Sequence, residues 1–194
     1  MRSTAFGFAA IGLVIIGLSG CATLNEDQCA VTDWQQLGQS DGARGLSPDR
    51  IASHREACSK FNLPVDAPAW QAGWQLGIRQ YCTFENGIEI GQRGSFGSNF
   101  CPVDLAEDFR IGNQAGKRVA DARSQRDNAQ REVSRLTSAL GDEADPVQRQ
   151  VLLAQLEGQQ SLLASYNSNL QNAQAALQTL LLTRARTNRA GQVL

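Results

Sequence analysis

The sequence predicts an all-α protein, in which a small disulfide-stapled helical head is followed by a long antiparallel coiled-coil helical hairpin. Residues 26–116 carry the tryptophans and repeat glycine at a spacing of four, which is a helical spacing. Residues 105–180 repeat apolar side chains at alternating spacings of three and four, as coiled-coil seams do. We therefore divide the chain into a leader (1–20), the head (21–104) and the hairpin with a short disordered tail (105–194).

The composition excludes several classes of protein. Of the 194 residues 42% are hydrophobic, and the formal net charge is only -1, which does not describe a wholly disordered chain. A pI of about 5.8 gives no general attraction for nucleic acid. We expect no nucleic-acid partner.

The leader has the pattern of a bacterial secretion signal. A positive charge at Arg2 precedes an apolar run of 13 residues, 6–18, and the run closes at Leu18-Ser19-Gly20-Cys21. A simple transmembrane anchor is the alternative, but a spanning helix needs about 20 apolar residues. The closing tetrad resembles the lipobox of bacterial lipoproteins, which implies cleavage before Cys21 and lipidation of its thiol.

Lipidation of Cys21 would make the membrane a partner, because several acyl chains on one residue hold a protein firmly. In bacteria with two membranes, aspartate directly after the lipidated cysteine commonly signals retention in the inner membrane. That position is Ala22 here. We therefore expect the outer membrane, with the protein facing the periplasm.

Four cysteines remain after the anchor, namely Cys29, Cys58, Cys82 and Cys101. An even number in an oxidising compartment favours two disulfides, for which three connectivities are possible. A zinc site is one alternative, although no Cys-x-x-Cys pair is present. A nucleophilic cysteine is another, since His54 and Cys58 are spaced i, i+4.

Capping residues predict four short helices in the head. Thr32 or Asp33 caps the first, Ser47-Pro48 opens a second that runs to about Lys60, Asp66 with Pro68 opens a third that ends near Cys82, and Thr83 caps the fourth. If the first two form an antiparallel hairpin, Cys29 lies beside Cys58, which favours Cys29–Cys58 and Cys82–Cys101. Glycine costs about 1 kcal/mol in a helix relative to alanine, so its repetition on one face indicates that helix backbones approach closely.

The order of these motifs resembles the bacterial lipoprotein family called domain of unknown function 2799 (DUF2799). The resemblance covers residues 26–118 and is carried by spaced cysteines, glycines and aromatics: Cys29, Trp34-x-x-x-Gly38-x-x-Asp41-Gly42-x-x-Gly45, His54-x-x-x-Cys58, Gly73-x-x-x-Gly77, Tyr81-Cys82, Gly87-x-x-x-Gly91-x-x-Gly94, Cys101-Pro102 and Phe109-x-x-Gly112-x-x-x-Gly116. It implies a secreted, usually lipidated envelope protein without a characterised activity. No catalytic residue is carried over.

Two apolar series define the arms of the predicted hairpin. The first is Leu105, Gly112, Ala115, Val119, Ala122, Ala129, Val133, Leu136 and Leu140, with polar interruptions at Asp108 and Arg126. The second is Leu152, Leu156, Gln159, Leu163, Tyr166, Leu170, Ala173, Leu177 and Leu180. Between them Gly141 ends one helix, and Asp145 with Pro146 begins the next.

The arms differ in charge, which bears on their partners. Residues 109–140 carry seven basic and three acidic residues, whereas residues 150–183 carry one charge, Glu157. The basic arm is either a solvated face or a contact for anionic envelope material such as lipid headgroups. The second arm is either a solvated polar helix or a surface for self-association or for an envelope protein.

Motifs for chemistry are nearly absent. The sequence has one histidine, and it has no phosphate-binding loop, His-Glu-x-x-His or Gly-x-Ser-x-Gly motif. We expect no metal, no cofactor and no enzyme activity, and a structural or protein-interaction role in the cell envelope. The alternative is a periplasmic enzyme or small-ligand-binding lipoprotein with a site around His54, Asp41 and Asp66. A ligand pocket of this kind is expected to have Trp34, Trp70 or Trp74 in its wall.

Overall fold

A computed structural model describes residues 23–191, and the described chain consists of seven α-helices without a strand. The helices are α1 (Glu26–Val31), α2 (Trp34–Ala43), α3 (Arg50–Ser59), α4 (Ala67–Tyr81), α5 (Phe84–Gln92), α6 (Val103–Asp142) and α7 (Pro146–Gly191). The predicted all-α class with a long C-terminal helical hairpin is confirmed. The predicted leader, the lipidation site Cys21 and the last three residues of the tail lie outside the described residues. Between residues 23 and 191 no helix combines the length and hydropathy needed to cross a membrane.

The local signals place most helix starts correctly. Asp33, Asp66 and Thr83 each accept a hydrogen bond from a backbone N–H in the first turn of the helix that follows. The short helix α1 was not predicted, because six residues are too few to show a helical period. Its N-cap is Asn25, which exchanges hydrogen bonds with Gln28 in a capping box.

Helices α2 and α4 pack backbone to backbone at their glycines, and we call this pair unit A. A Cβ added to Gly38 would overlap the carbonyl of Trp70, and one added to Gly42 would overlap that of Trp74. Because both contacts advance by four residues in the same direction, the two helices are parallel. The predicted hairpin of α2 with α3 is therefore wrong, since α2 packs along α4 instead.

Helices α5 and α6 repeat this arrangement as unit B. A Cβ on Gly87 would overlap the carbonyl of Phe109, and one on Gly91 would overlap that of Asn113. The first helix of each unit also ends in the same way, on a glycine of positive φ: Gly45 at 71° and Gly94 at 80°. These angles favour glycine. Two copies of one packing unit thus make up the head, which from here on includes the glycine-bearing start of α6 beyond residue 104.

The equivalence of the units extends to a buried hydrogen bond. Trp74 Nε1 donates to the carbonyl of Leu46 at 2.9 Å, and Asn113 Nδ2 donates to the carbonyl of Ser95 at 2.9 Å. Trp74 and Asn113 lie at matching positions, each one residue after the first glycine of the second helix. Each acceptor directly follows the glycine of positive φ. The second helix of each unit therefore fastens the turn that ends the first.

The structure contains the disulfides Cys29–Cys58 and Cys82–Cys101, each with a Cα–Cα distance of 5.6 Å. This is the pairing that the sequence favours, although its supporting hairpin is not formed. In each unit one cysteine precedes the first helix and the other precedes the second. Each disulfide therefore ties together the chain segments that enter a parallel pair. Such a bond contributes roughly 3 kcal/mol by limiting the unfolded chain.

The hairpin consists of α6 with 40 residues and α7 with 46. Every residue of the second predicted apolar series is buried or half-buried, whereas the residues between them are exposed. Asp145 caps α7 by accepting from the backbone N–H groups of Val147 and Gln148. The seam of α7 is therefore the one that its periodicity predicts.

The far end of α7 is fastened to unit B. Arg184 makes two hydrogen bonds to Asp108, of 3.0 and 2.6 Å, and its guanidinium lies 4.3 Å from the centre of the Phe84 ring. The apolar core beneath joins Phe84 of α5 with Leu177 of α7. The predicted polar interruption at Asp108 is thus the site of an ion pair between the arms.

Replacing Gly73 by alanine tests the backbone contact in unit A. An added Cβ would lie closer than 3.0 Å to the backbone of Gln35, so the helices must separate. We expect the free energy of unfolding to fall by about 1–3 kcal/mol, the usual cost of overpacking. Gly141→Ala is the matched control, because nothing lies within 4 Å of a Cβ there, and it should be neutral or stabilising. Equal unfolding free energies for both variants in chemical denaturation would contradict the packing.

Candidate functional site

The most deeply buried polar cluster of the described chain is centred on Asp41 of α2. Its carboxylate accepts a hydrogen bond from His54 Nε2 at 2.8 Å and another from Trp70 Nε1 at 3.1 Å. Arg44, the C-cap of α2, donates to the other carboxylate oxygen. Asp41 and His54 are 0% and 2% exposed. One carboxylate therefore joins α2, α3 and α4.

The cluster continues to the beginning of the described chain. Thr23 Oγ1 lies 2.9 Å from His54 Nδ1 and 3.3 Å from the carbonyl of Ser53. The Thr23 hydroxyl donates to the carbonyl of Ser53, and it is also a hydrogen-bond partner of His54 Nδ1. The next residue, Leu24, is buried against the Cys29–Cys58 disulfide. The chain is thus held to the head from its first described residue.

The charge on Asp41 is stabilised by its partners. Burial on its own raises the pKa of the carboxyl, but the hydrogen bonds from His54 and Trp70, the charge interaction with His54 and the hydrogen bond from Arg44 outweigh it. The net effect holds the pKa of Asp41 below its ordinary value of 3.8. The carboxylate is therefore ionised at neutral pH, as a hydrogen-bond acceptor for three donors requires.

The order carboxylate, imidazole, hydroxyl is also that of a hydrolase triad. Here the carboxylate and the imidazole are both enclosed by helices of the described chain. Arg44 and Trp70 also donate to this carboxylate, so His54 is only one of its three hydrogen-bond partners. The geometry suits a network that fastens segments together.

The third predicted site residue, Asp66, has a different role. Its side chain is exposed at the start of α4, where it accepts from the backbone N–H of Ala69 at 3.0 Å. The structure thus brings together Asp41 and His54, and it uses Asp66 as a helix cap. The hypothesis of a nucleophilic Cys58 is wrong, because this sulfur is in a disulfide. Over residues 23–191 no group of three or more His, Cys, Asp or Glu side chains could hold a metal ion.

Arg44 and Thr23 were not predicted from the sequence as site residues, and Trp70 was expected only in the wall of a ligand pocket. Arg44 and Trp70 lie at helical positions whose facing partner depends on the packing of α2 against α4. Thr23 precedes every helix of the described chain, and no local pattern marks it. The sequence did contain one indication for Trp70: the indole N–H of a buried tryptophan needs a hydrogen-bond acceptor, which predicts a polar partner for it.

Two of the cavities on the described surface of the head have mostly apolar walls. One of about 540 Å³ runs beside α4 and has Trp74, Leu76 and Arg79 in its wall. The other, of about 340 Å³, lies beneath the loop after α5 and has Phe96 and Phe109 in its wall. The first has the tryptophan that a ligand pocket is expected to contain. Neither cavity includes Asp41, His54 or Asp66.

The fold and the buried network define a class: small all-α proteins made of two glycine-packed parallel helix pairs, each tied by a disulfide. Residues 33–118 match the model of the family described as "Protein of unknown function (DUF2799)". This match confirms the resemblance to the DUF2799 family that the motifs predict, over residues 33–118. The matched residues contain α2 to α5 and the glycine-bearing start of α6, and most of the hairpin lies beyond them. Neither the curated proteins nor the solved structures contain a match.

Asp41→Asn tests the electrostatics of the network. At neutral pH the variant presents an amide to donors that need a carboxylate, so we expect a loss of about 1–3 kcal/mol in the free energy of unfolding. A carboxyl with a lowered pKa contributes stability above its unfolded pKa, and that stability is lost as pH falls through the folded pKa. The difference between wild type and variant should therefore shrink below pH 3.8. Asp66→Asn is the control, since asparagine caps helices as well as aspartate does. A difference that is the same at pH 7 and in acid would contradict this account.

Thr23→Val tests whether the network holds the N-terminal segment. The substitution keeps the β-branched shape and removes the hydroxyl, so the segment should exchange its amide hydrogens faster. We expect a stability loss of about 0.5–1.5 kcal/mol, the net worth of a hydrogen bond. Thr23→Ser retains the hydroxyl and should behave as wild type in hydrogen exchange. Identical protection in the two variants would show that the hydroxyl holds nothing.

Proposed function

We propose that this protein is a lipoprotein, anchored through Cys21 in the outer membrane and facing the periplasm, with a structural or protein-interaction role in the cell envelope. The observation that carries the proposal is the fastening of Thr23 by His54 and of Leu24 by the disulfide-linked core. Cys21 lies only two residues before Thr23, and two residues span at most about 7 Å. An acyl anchor on Cys21 would therefore hold the head directly at the membrane surface.

Two further observations support this proposed localisation. The leader ends in a tetrad similar to a lipobox, and Ala22 follows in place of aspartate. The head contains two disulfides, which persist in oxidising compartments such as the bacterial periplasm.

The hairpin supports an interaction role. An α-helix of 40 residues such as α6 is about 60 Å long. It begins inside unit B and extends beyond it without a break, so the hairpin is continuous with the head. A rigid arm of this length presents surface to other envelope components at a distance from the anchor.

An enzyme with a site around His54 and Asp41 is supported less well. A catalytic base must reach the proton that it removes from a substrate, and these two side chains are enclosed and fully engaged with Thr23, Trp70 and Arg44. The cluster's contacts instead connect three helices and the segment next to the anchor.

Cys21→Ser tests the anchor. In cells fed an alkyne fatty acid, the wild-type protein should acquire the label and sediment with membranes, whereas Cys21→Ser should remain unlabelled and soluble. Ala22→Asp tests the choice of membrane. This variant should stay labelled, but on a density gradient it should be found with the inner membrane and not with the outer membrane. An unlabelled wild-type protein would overturn the lipoprotein proposal, and an Ala22→Asp protein that does not move would overturn the outer-membrane assignment.

A further inference from the structure

The loop between α5 and α6 exposes a large aromatic side chain, although the loop itself is fastened. Phe96 is 74% exposed. On one side of it the carbonyl of Ser95 accepts a hydrogen bond from Asn113 Nδ2 at 2.9 Å, and on the other side the backbone N–H of Ser98 donates to the Tyr81 hydroxyl at 3.1 Å. An exposed phenylalanine ring forgoes the free energy that its burial would contribute. The described chain thus holds Phe96 in place without covering it.

An apolar pocket lies beside the Phe96 ring. It has a volume of about 340 Å³, and its mostly apolar wall includes Phe96, Cys101, Ala106 and Phe109. The loop lies directly on Phe109, since a Cβ added to Gly97 would be 2.6 Å from that ring. Small-molecule sites have volumes of about 300–1,000 Å³. The apolar pocket is at the lower end of this range, so it suits a single apolar chain rather than a two-chain lipid.

A second cavity, of about 400 Å³, shares part of its wall with the apolar pocket and is lined mainly by polar residues. Its wall contains four basic and two acidic residues, a net charge of +2: Arg93, Lys117, Arg123, Arg131, Asp121 and Asp127. We call this cavity the basic recess. Both acidic residues are paired, Asp121 with Lys117 at 3.0 Å and Asp127 with Arg126 at 2.9 Å. Within residues 23–191 the side chains of Arg93 and Arg123 make no ion pair or hydrogen bond.

Lys117 belongs to the walls of both cavities. Its Nζ lies 4.8 Å from the centre of the Phe96 ring and 3.0 Å from Oδ1 of Asp121. The ammonium group is therefore at the boundary between the apolar pocket and the basic recess. An ammonium has three donors, so Lys117 can bind a second anion while it keeps its contact with Asp121.

We propose that the apolar pocket and the basic recess together bind an amphiphile with one apolar chain and a phosphate head group. The chain lies against Phe96 and Phe109 and covers the ring that the protein leaves exposed. The head group lies at Lys117 and reaches the unpaired arginines of the recess. A phosphate monoester carries a charge of about -1.5 to -2 at neutral pH, which complements the net charge of the recess.

Two features favour phosphate over other head groups. Arginine binds phosphate through two parallel hydrogen bonds, and the recess contains Arg93 and Arg123 without a partner of their own in residues 23–191. A carboxylate head carries a single charge, and a cationic head would meet Lys117 and both arginines. The site consists of residues from the end of α5, from α6 and from the loop between them, so it goes beyond the proposed function and does not rest on the lipid anchor.

Calorimetric titration of the full-length chain tests the class of ligand. The chain carries Cys21→Ser, so that no acyl group on this residue competes, and every probe stays below its micelle-forming concentration. Dodecyl phosphate should bind at one site per chain. Dodecyltrimethylammonium has the same chain with a positive head, and inorganic phosphate has no chain, so each should bind at least about tenfold more weakly. Dodecanoate, with a single negative charge, should bind several-fold more weakly.

A set of variants in the same Cys21→Ser chain tests the site itself. Lys117→Gln should weaken the binding of dodecyl phosphate roughly tenfold, the fold change that corresponds to one charge-assisted hydrogen bond. Arg118→Gln is the matched control, because it removes the same charge from the next residue of α6, which is exposed and lines neither cavity. It should leave the affinity unchanged. Phe96→Ser should weaken dodecyl phosphate several-fold and leave inorganic phosphate unchanged.

Several outcomes would overturn this site. They are no binding of dodecyl phosphate, equal binding of dodecyl phosphate and dodecyltrimethylammonium, and equal effects of Lys117→Gln and Arg118→Gln. Inorganic phosphate that binds as tightly as dodecyl phosphate would overturn the role of the apolar pocket, and dodecanoate that does so would overturn the phosphate head. Chemical unfolding of each variant shows whether it is folded, and Arg123→Gln repeats the charge test at a second residue of the recess. All chains have the same N-terminal segment, so any probe that this segment binds cancels in the comparison of variants.

Discussion

The contact between helix backbones at the glycines is the constraint on which the rest of this structure depends. Eight glycines remove the side chains that would otherwise separate α2 from α4 and α5 from α6. Parallel helices that are joined in one chain need a connection that returns to the starting end. Helix α3 supplies it in unit A, and the loop of residues 93–102 supplies it in unit B. The two disulfides join the segments that enter each pair, so they reinforce the parallel arrangement that the glycines permit.

The buried polar network follows from this packing and distinguishes the two units. Because α4 lies against α2, Trp70 reaches the carboxylate of Asp41. At the equivalent positions unit B has Phe109 and Ile90, both buried and apolar. A buried carboxylate costs free energy unless it is fully paired, and unit B avoids that cost. Unit A also contacts Thr23 through His54. The buried polar residues therefore occur in the unit that holds the N-terminal segment.

The hairpin is mechanically part of the head. Helix α6 supplies the second helix of unit B and then continues as the first arm. Arg184 of α7 contacts the same unit, because it hydrogen-bonds to Asp108 and lies over the ring of Phe84. Hydrogen bonding to Arg184 lowers the pKa of Asp108, against the smaller effect of desolvation. No linker therefore separates the described part of the hairpin from unit B.

The sequence by itself determined the features that depend on neighbours along the chain. Caps such as Asp33, Asp66 and Thr83 act within one turn, and the seam of α7 is a periodic property of one helix, so both were predictable. The tertiary structure alone decided that α2 pairs with α4, that His54 joins Asp41 to Thr23, and that Asp66 stays at the surface. These contacts link residues that are 13 to 31 positions apart. Glycine spacing shows that a helix face must meet another backbone, but only the packing of the whole head selects which backbone it meets.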